Sequence, residues 1–190
     1  MNVPFVDDEV FESQDFTSQA LERAEYSYCT FRNCNFESSS ISHIIFDECE
    51  FDNCNFSNVE TKNTTFRNCS FSGCKMLGVK FSECNPFLLS FSFLACNLQF
   101  SSFYNLKIVK TYFNNCKLED TDFSDAQLNE ASFDLCNLRS AIFDNTNLTK
   151  ANFSTAINYS IDPERNKIQG AQFSKDGLAG LLDKYNLKIK

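Results

Sequence analysis

An all-β solenoid with four-sided coils is the fold this sequence predicts, on three observations. Large apolar residues recur every fifth position, small residues stand two places before them, and like residues return after twenty. A period of five fits neither the 3.6 of an amphipathic helix nor the 2 of a half-buried strand. It fits a chain that turns a corner every five residues and points two side chains inward between corners. Four such sides close a coil of twenty, and coils stack at the strand spacing of about 4.8 Å.

Counting in fives from Phe31 passes through Phe36, Ile41, Phe46, Phe51, Phe56, Thr61, Phe66, Phe71, Met76 and Phe81. After a two-residue slip it resumes at Leu88, Phe93, Leu98 and Phe103 and runs to Phe153. Between residues 29 and 153 lie fourteen acids and ten bases, none of them at a counted position or two places before one. Burying an unpaired charge costs several kcal/mol, so the exclusion marks both columns as interior.

All ten cysteines sit in the small column, Cys84 being counted against Pro86. The stretch "CTFRNCNF" at 29–36 shows the arrangement twice. Disulfides, a metal site or packing could each ask for it. The N-terminus "MNVPFVDDEVFESQDF" has no basic start and apolar run, and nowhere do about 18 apolar residues follow one another. A cytoplasmic location away from membranes is therefore expected, where thiols stay reduced. His43 is the only histidine and paired C-x-x-C spacing is absent, so no zinc site is expected. Cysteine is read as a compact hydrophobe beside a stacked ring.

The chain divides into an irregular N-terminal cap and first coil at 1–28, coils at 29–158, and a C-terminal cap and dimerisation segment at 159–190. In the first coil Glu9, Gln14 and Gln19 stand where a small inward residue belongs. A break near 82–88, marked by Asn85, Pro86 and Phe87, must bulge outward or bend the axis. It is either a tolerated irregularity or a feature that shapes a docking surface. Near the C-terminus Ser174 can cap a short helix on which Leu178, Leu181, Leu182 and Tyr185 form one stripe. Leu187 and Ile189 then alternate with lysines like a strand. The segment covers the open end, and its leucines can also meet a second copy.

The sequence offers no converging reactive groups. G-x-G-x-x-G, P-loop and G-x-S-x-G motifs are absent, a filled interior leaves no pocket, and neither enzymatic activity nor a cofactor is expected. A net charge of −8 disfavours direct binding of nucleic acid and favours a basic partner. The charge is uneven: residues 1–60 carry −11, 61–110 carry +5, 111–149 carry −5 and 150–190 carry +3.

The repeat is identified as that of the pentapeptide-repeat family, whose fold is an all-β, right-handed quadrilateral parallel β-helix. The run "KMLGVKFSECNPF", the break after it, and "NYSIDPERNKI" with "GLLDKYNLKI" resemble the branch that holds Qnr quinolone-resistance proteins and the microcin and albicidin immunity proteins. That resemblance implies a DNA mimic that binds DNA gyrase or topoisomerase IV and relieves a poison. It also implies a homodimer joined through Leu178, Leu181, Leu182, Tyr185, Leu187 and Ile189. The acidic stretch beside that centre, with Glu119, Asp120, Asp122, Asp125, Glu130, Asp134 and Asp144, becomes the expected partner surface. A generic interaction scaffold with another partner is the alternative.

Overall fold

The computed structural model describes residues 3–188. The chain forms the expected quadrilateral parallel β-helix, of about eight turns. Four ladders define its sides. The first holds the strands Phe5–Asp7, Glu25–Ser27, Ile45–Asp47 and Thr65–Arg67, and resumes after the break with the rungs Lys107, Gln127, Asn147 and Lys167. The second is an unbroken sheet of nine strands from Val10–Glu12 to Gln172–Phe173. The third runs from Asp15 to Ile157, and the fourth includes Lys80, Ser102, Asp122 and Ile142.

Every counted position on the second side carries a phenylalanine, and the rings form one continuous stack from Phe11 to Phe173. Centroids are 4.6 to 5.4 Å apart along it. Rings on neighbouring sides meet this stack edge to face, the favoured alternative geometry. Most corners fall two places after a centre, in the left-handed region with φ of +50 to +71°. Asparagine tolerates that region better than other non-glycine residues, and Asn33, Asn53, Asn58, Asn63, Asn68, Asn105, Asn115 and Asn145 all stand there.

The small column does more than leave room. Its side chains donate to the carbonyl of a central position in the coil beneath: Cys54 Sγ to Phe31 O at 3.3 Å, Thr64 Oγ1 to Ile41 O at 2.8 Å, Thr121 Oγ1 to Leu98 O at 3.0 Å. Cys74, Ser101, Cys136 and Thr146 repeat the contact. Cysteine, serine and threonine share compactness and a hydrogen to donate. All ten thiols are free and buried. Burial pushes Cys49 and Cys84 up to about 12, which keeps them neutral donors.

At the break the chain departs from the expected register. Asn85 still reaches twenty residues back, its Nδ2 donating to Thr65 Oγ1 at 3.2 Å, whereas Phe91 pairs with Cys69 at a distance of twenty-two. Two residues are therefore inserted between them, and Pro86, Phe87 and Leu88 lie outside. Leu88, expected to be a core centre, is 60% exposed, and Pro86 is no inward partner for Cys84. Leu89 and Phe91 turn inward instead, with Phe91 set among Phe81, Phe93 and Phe103. An insertion of two preserves the inward and outward alternation of the strand that follows, but not the side on which each residue falls.

At the C-terminus stacking continues beyond 158. Asn166 takes the small column and donates to Phe143 O, while Gln172–Phe173 pairs with Asn152–Phe153. The expected single helix is two short 3₁₀ turns, Asp176–Leu181 and Asp183–Tyr185. Gly177 and Gly180 weaken an α-helix here, and both lie so close over Tyr159 that an added Cβ would strike it. Ser174 Oγ accepts from Gly177 N–H at 3.0 Å at the start of the first turn, where Lys175 and not Ser174 holds the cap position.

Candidate interaction surface

A chain that turns every five residues scatters sequence neighbours around its axis. The seven carboxylates between 119 and 144 show this. Asp120 is exposed at the corner between the third and fourth sides, and Asp122, Asp125 and Asp144 are partly exposed on the fourth side or its far corner. These four form one cluster. Asp122 Oδ1 accepts from Ser124 N–H at 2.9 Å and Asp125 Oδ1 from Asn145 Nδ2 at 2.6 Å, so both side chains are held in place.

The other three lie elsewhere. Glu119, on the third side, is only 7% exposed, with Oε1 accepting from Asn137 and Oε2 enclosed without a partner. Glu130 sits at the corner after the first side and pairs with Lys110 at 3.7 Å. Asp134 belongs to the second side and accepts from Thr155 and Asn114. The predicted set is therefore not one surface.

Two acids missing from that set extend the cluster. Asp162 and Glu164 fall twenty residues beyond Ile142 and Asp144 and take the next rung. The period of twenty could have found them. Lys184 answers both, at 2.7 Å to each, and holds both carboxyls below the usual carboxylate range. Arg165 likewise bonds Asp144 at 2.6 Å. Among the described residues, Asp120, Asp122 and Asp125 are thus the part of the cluster without a basic partner.

Of the residues expected to join two copies, Leu178, Leu182, Tyr185 and Leu187 are exposed. Leu181 packs on the core, and Ile189 lies outside the described residues. Asn85 anchors the break by donating to Thr65 Oγ1 and accepting from Phe87 N–H. His43 is an exposed corner residue. Among the described residues no group of three or more His, Cys, Asp or Glu is arranged to hold a metal ion, and no helix is long and apolar enough to cross a membrane.

The family model described as "Pentapeptide repeat region" matches residues 44–123, and "Pentapeptide repeats (8 copies)" matches 116–154. The chain belongs to the pentapeptide-repeat family. Among solved members, a trypsin-treated form of QnrB1, a plasmid-mediated fluoroquinolone resistance protein, is 14% identical. The match covers 100% of this chain and 92% of that one, with a TM-score of 0.77. A second trypsin-treated form is 13% identical over 99% and 98% of the chains, with a TM-score of 0.64. HetL, involved in heterocyst differentiation regulation in the cyanobacterium Nostoc, is 14% identical over 93% and 92%, with a TM-score of 0.53. At these identities the likeness is one of fold. No curated protein sequence matches significantly.

Proposed function

We propose that this pentapeptide-repeat protein is a non-enzymatic binding module that offers the acids of its fourth side to a DNA-binding surface, with DNA gyrase or topoisomerase IV as the partner. The observation that carries the reading is the cluster of Asp120, Asp122, Asp125 and Asp144 on adjacent rungs. Duplex DNA presents a charge per about 1.7 Å of axis, or roughly three over one rung spacing of about 4.8 Å. The cluster reaches that density locally. It does not extend toward the N-terminus on this side, where the preceding rung carries Ser102, Tyr104 and Asn105. Joining two copies through Leu178, Leu182, Tyr185 and Leu187 would place two such clusters about one centre.

The test is gyrase supercoiling titrated with this protein, with and without ciprofloxacin. Rescue from the drug, or inhibition at higher protein concentration, is expected. Asp122→Lys with Asp125→Lys should weaken gyrase binding by about tenfold or more while leaving the circular dichroism spectrum unchanged. Full binding by that variant would overturn the mimicry account. The fold likeness to HetL favours a second reading, a scaffold for another protein. Absence of any effect on gyrase or topoisomerase IV would select it.

A further inference from the structure

On the approach to the third side the small column is cysteine on six successive coils: Cys34, Cys54, Cys74, Cys96, Cys116 and Cys136. The residues that follow them, from Asn35 to Asn137, pair rung to rung, so the six stand directly over one another. Each Sγ donates in the same way to a carbonyl of the coil beneath, Cys74 to Phe51 O at 3.4 Å, Cys96 to Phe71 O at 3.4 Å and Cys116 to Phe93 O at 3.6 Å. Side chains in one shared orientation put their sulfurs one rung apart, about 4.8 Å. Packing alone asks only for a small residue, and elsewhere the column mixes Thr64, Ser101, Thr121 and Ala126.

The run is open to the surface at one place. Its corners are Asn33, Asn53, Gly73, Ala95, Asn115 and Leu135, and only Gly73 and Ala95 are small. There a groove of about 530 Å³ is lined by Cys74, Cys96 and Cys116 together with Lys75 and Lys117. Ala95 holds a φ of +53°, a corner that asparagine suits better, so the backbone does not account for its small size. The three cysteines are at most 2% exposed, which fits a bare ion and not a larger molecule.

Thiolate is a soft donor that selects soft cations. A bond from metal to thiolate is about 2.3 Å, so an ion midway between two sulfurs about 4.8 Å apart reaches both along a straight line. Zinc requires four ligands in a tetrahedron, which a single column cannot supply. A soft monovalent ion such as Cu(I) or Ag(I) is satisfied by two donors in line.

We infer that Cys74 and Cys96 form a two-coordinate site for a soft monovalent cation, with Cys116 the next donor along the run. Binding exchanges two thiol protons, released to solvent, for one ion, and no oxidation state changes. Two thiolates around one monovalent ion leave one negative charge, and Lys75 and Lys117 stand beside the groove to answer it. Among the described residues neither lysine pairs with a carboxylate. The site lies away from Asp122 and Asp125 and does not rest on the topoisomerase reading.

The test uses the full chain, reduced, freed of small-molecule thiols and titrated with Ag(I) without oxygen or chloride. One tightly held ion per chain is expected, with two protons released and two sulfur neighbours counted by X-ray absorption. Cys96→Ser removes the donor common to both pairs in the groove and should abolish tight binding while the circular dichroism spectrum is unchanged. Serine is at home in this column, since Ser101 donates to Met76 O as the cysteines donate to their own carbonyls. Cys49→Ser should leave binding intact, because Cys29, Cys49 and Cys69 lie beside the larger corners Tyr28, Glu48 and Asn68. Zn(II) should not compete. A tight site that survives Cys96→Ser, equal losses in the two variants, or a count of one or four sulfurs would each overturn the proposal. So would uptake of many ions with loss of the folded spectrum, which would mean that silver binds only the unfolded chain.

Discussion

The coils before and after the insertion fill the same cross-section with different side chains. Before it, phenylalanine holds three of the four sides, as in Phe46, Phe51 and Phe56, while the fourth carries Ile41 and Thr61. After it, phenylalanine holds the two opposite sides, as in Phe113 and Phe123, and leucine or isoleucine takes the other two, as in Leu118 and Leu128. Ring stacking on the first side ends at Phe66, and a stack on the fourth begins at Phe81 and passes through Phe103, Phe123 and Phe143. The insertion is the place where one solution gives way to the other, with Phe91 filling the seam. The comparison teaches that the repeat fixes how many side chains point inward, whereas total volume, not ring identity, has to be matched coil by coil.

The most disruptive way to probe this is to remove a ring from each half. Phe51→Ala and Phe113→Ala each leave a large void in a fully buried stack and should destabilise by about 3–5 kcal/mol in urea unfolding. Because a solenoid couples only to its nearest neighbours, protection from hydrogen exchange should fall mainly in the mutated half. Uniform loss along the chain would show that the halves unfold as one.

Thr64→Val and Thr121→Val test the donors of the small column in the two halves. Each keeps the shape and removes one hydrogen bond to the coil beneath, for a loss of about 1–3 kcal/mol. Equal losses would mean that the donor role is common to both packings. No loss in either would return the column to pure space-filling.

Alkaline pH should separate the halves, because the thiols that burial chiefly pushes up, Cys29, Cys34, Cys49, Cys69 and Cys84, all precede residue 90. A thiol whose folded pKa is raised gives stability that is complete below the unfolded value near 9 and is lost as pH climbs toward the folded value. For Cys49, at about 12, the window is pH 9 to 12. At pH 10 the loss is about 1 kcal/mol per such thiol. The urea midpoint should drop between pH 8 and pH 10, and Cys49→Ala should flatten that drop.

Much of this architecture is legible in the sequence because burial excludes charge and the exclusion is strictly periodic. Both inward columns, the four sides and the position of the insertion to within a few residues follow from that. The inward return at Leu89 does not, since Leu88 and Leu89 are alike and only the backbone path chooses between them. The helical stripe of Leu178, Leu181 and Leu182 does not reveal a 3₁₀ turn, because that depends on Tyr159 lying beneath two glycines. Acids that are neighbours along the chain do not share a surface on a solenoid, whose sides recur at intervals of twenty. Glu119, Glu130 and Asp134 are close in sequence and stand on three sides, whereas Asp122, Asp144 and Glu164 are distant and share one.

The smallest expected effect bears on why the two halves are joined as they are. Leu88 holds a φ of +57° and is 60% exposed, so it takes on a strained backbone without burying its side chain. Leu88→Asn should stabilise the fold by about 0.5–1 kcal/mol, since asparagine enters the left-handed region more readily. Yet the same change removes an exposed apolar residue from the bulge and should weaken any association that uses it. A variant that is more stable and less associated would mean that leucine is retained at this corner for contact. Gaining stability with no change in association would reduce the bulge to a splice between two ways of filling a coil.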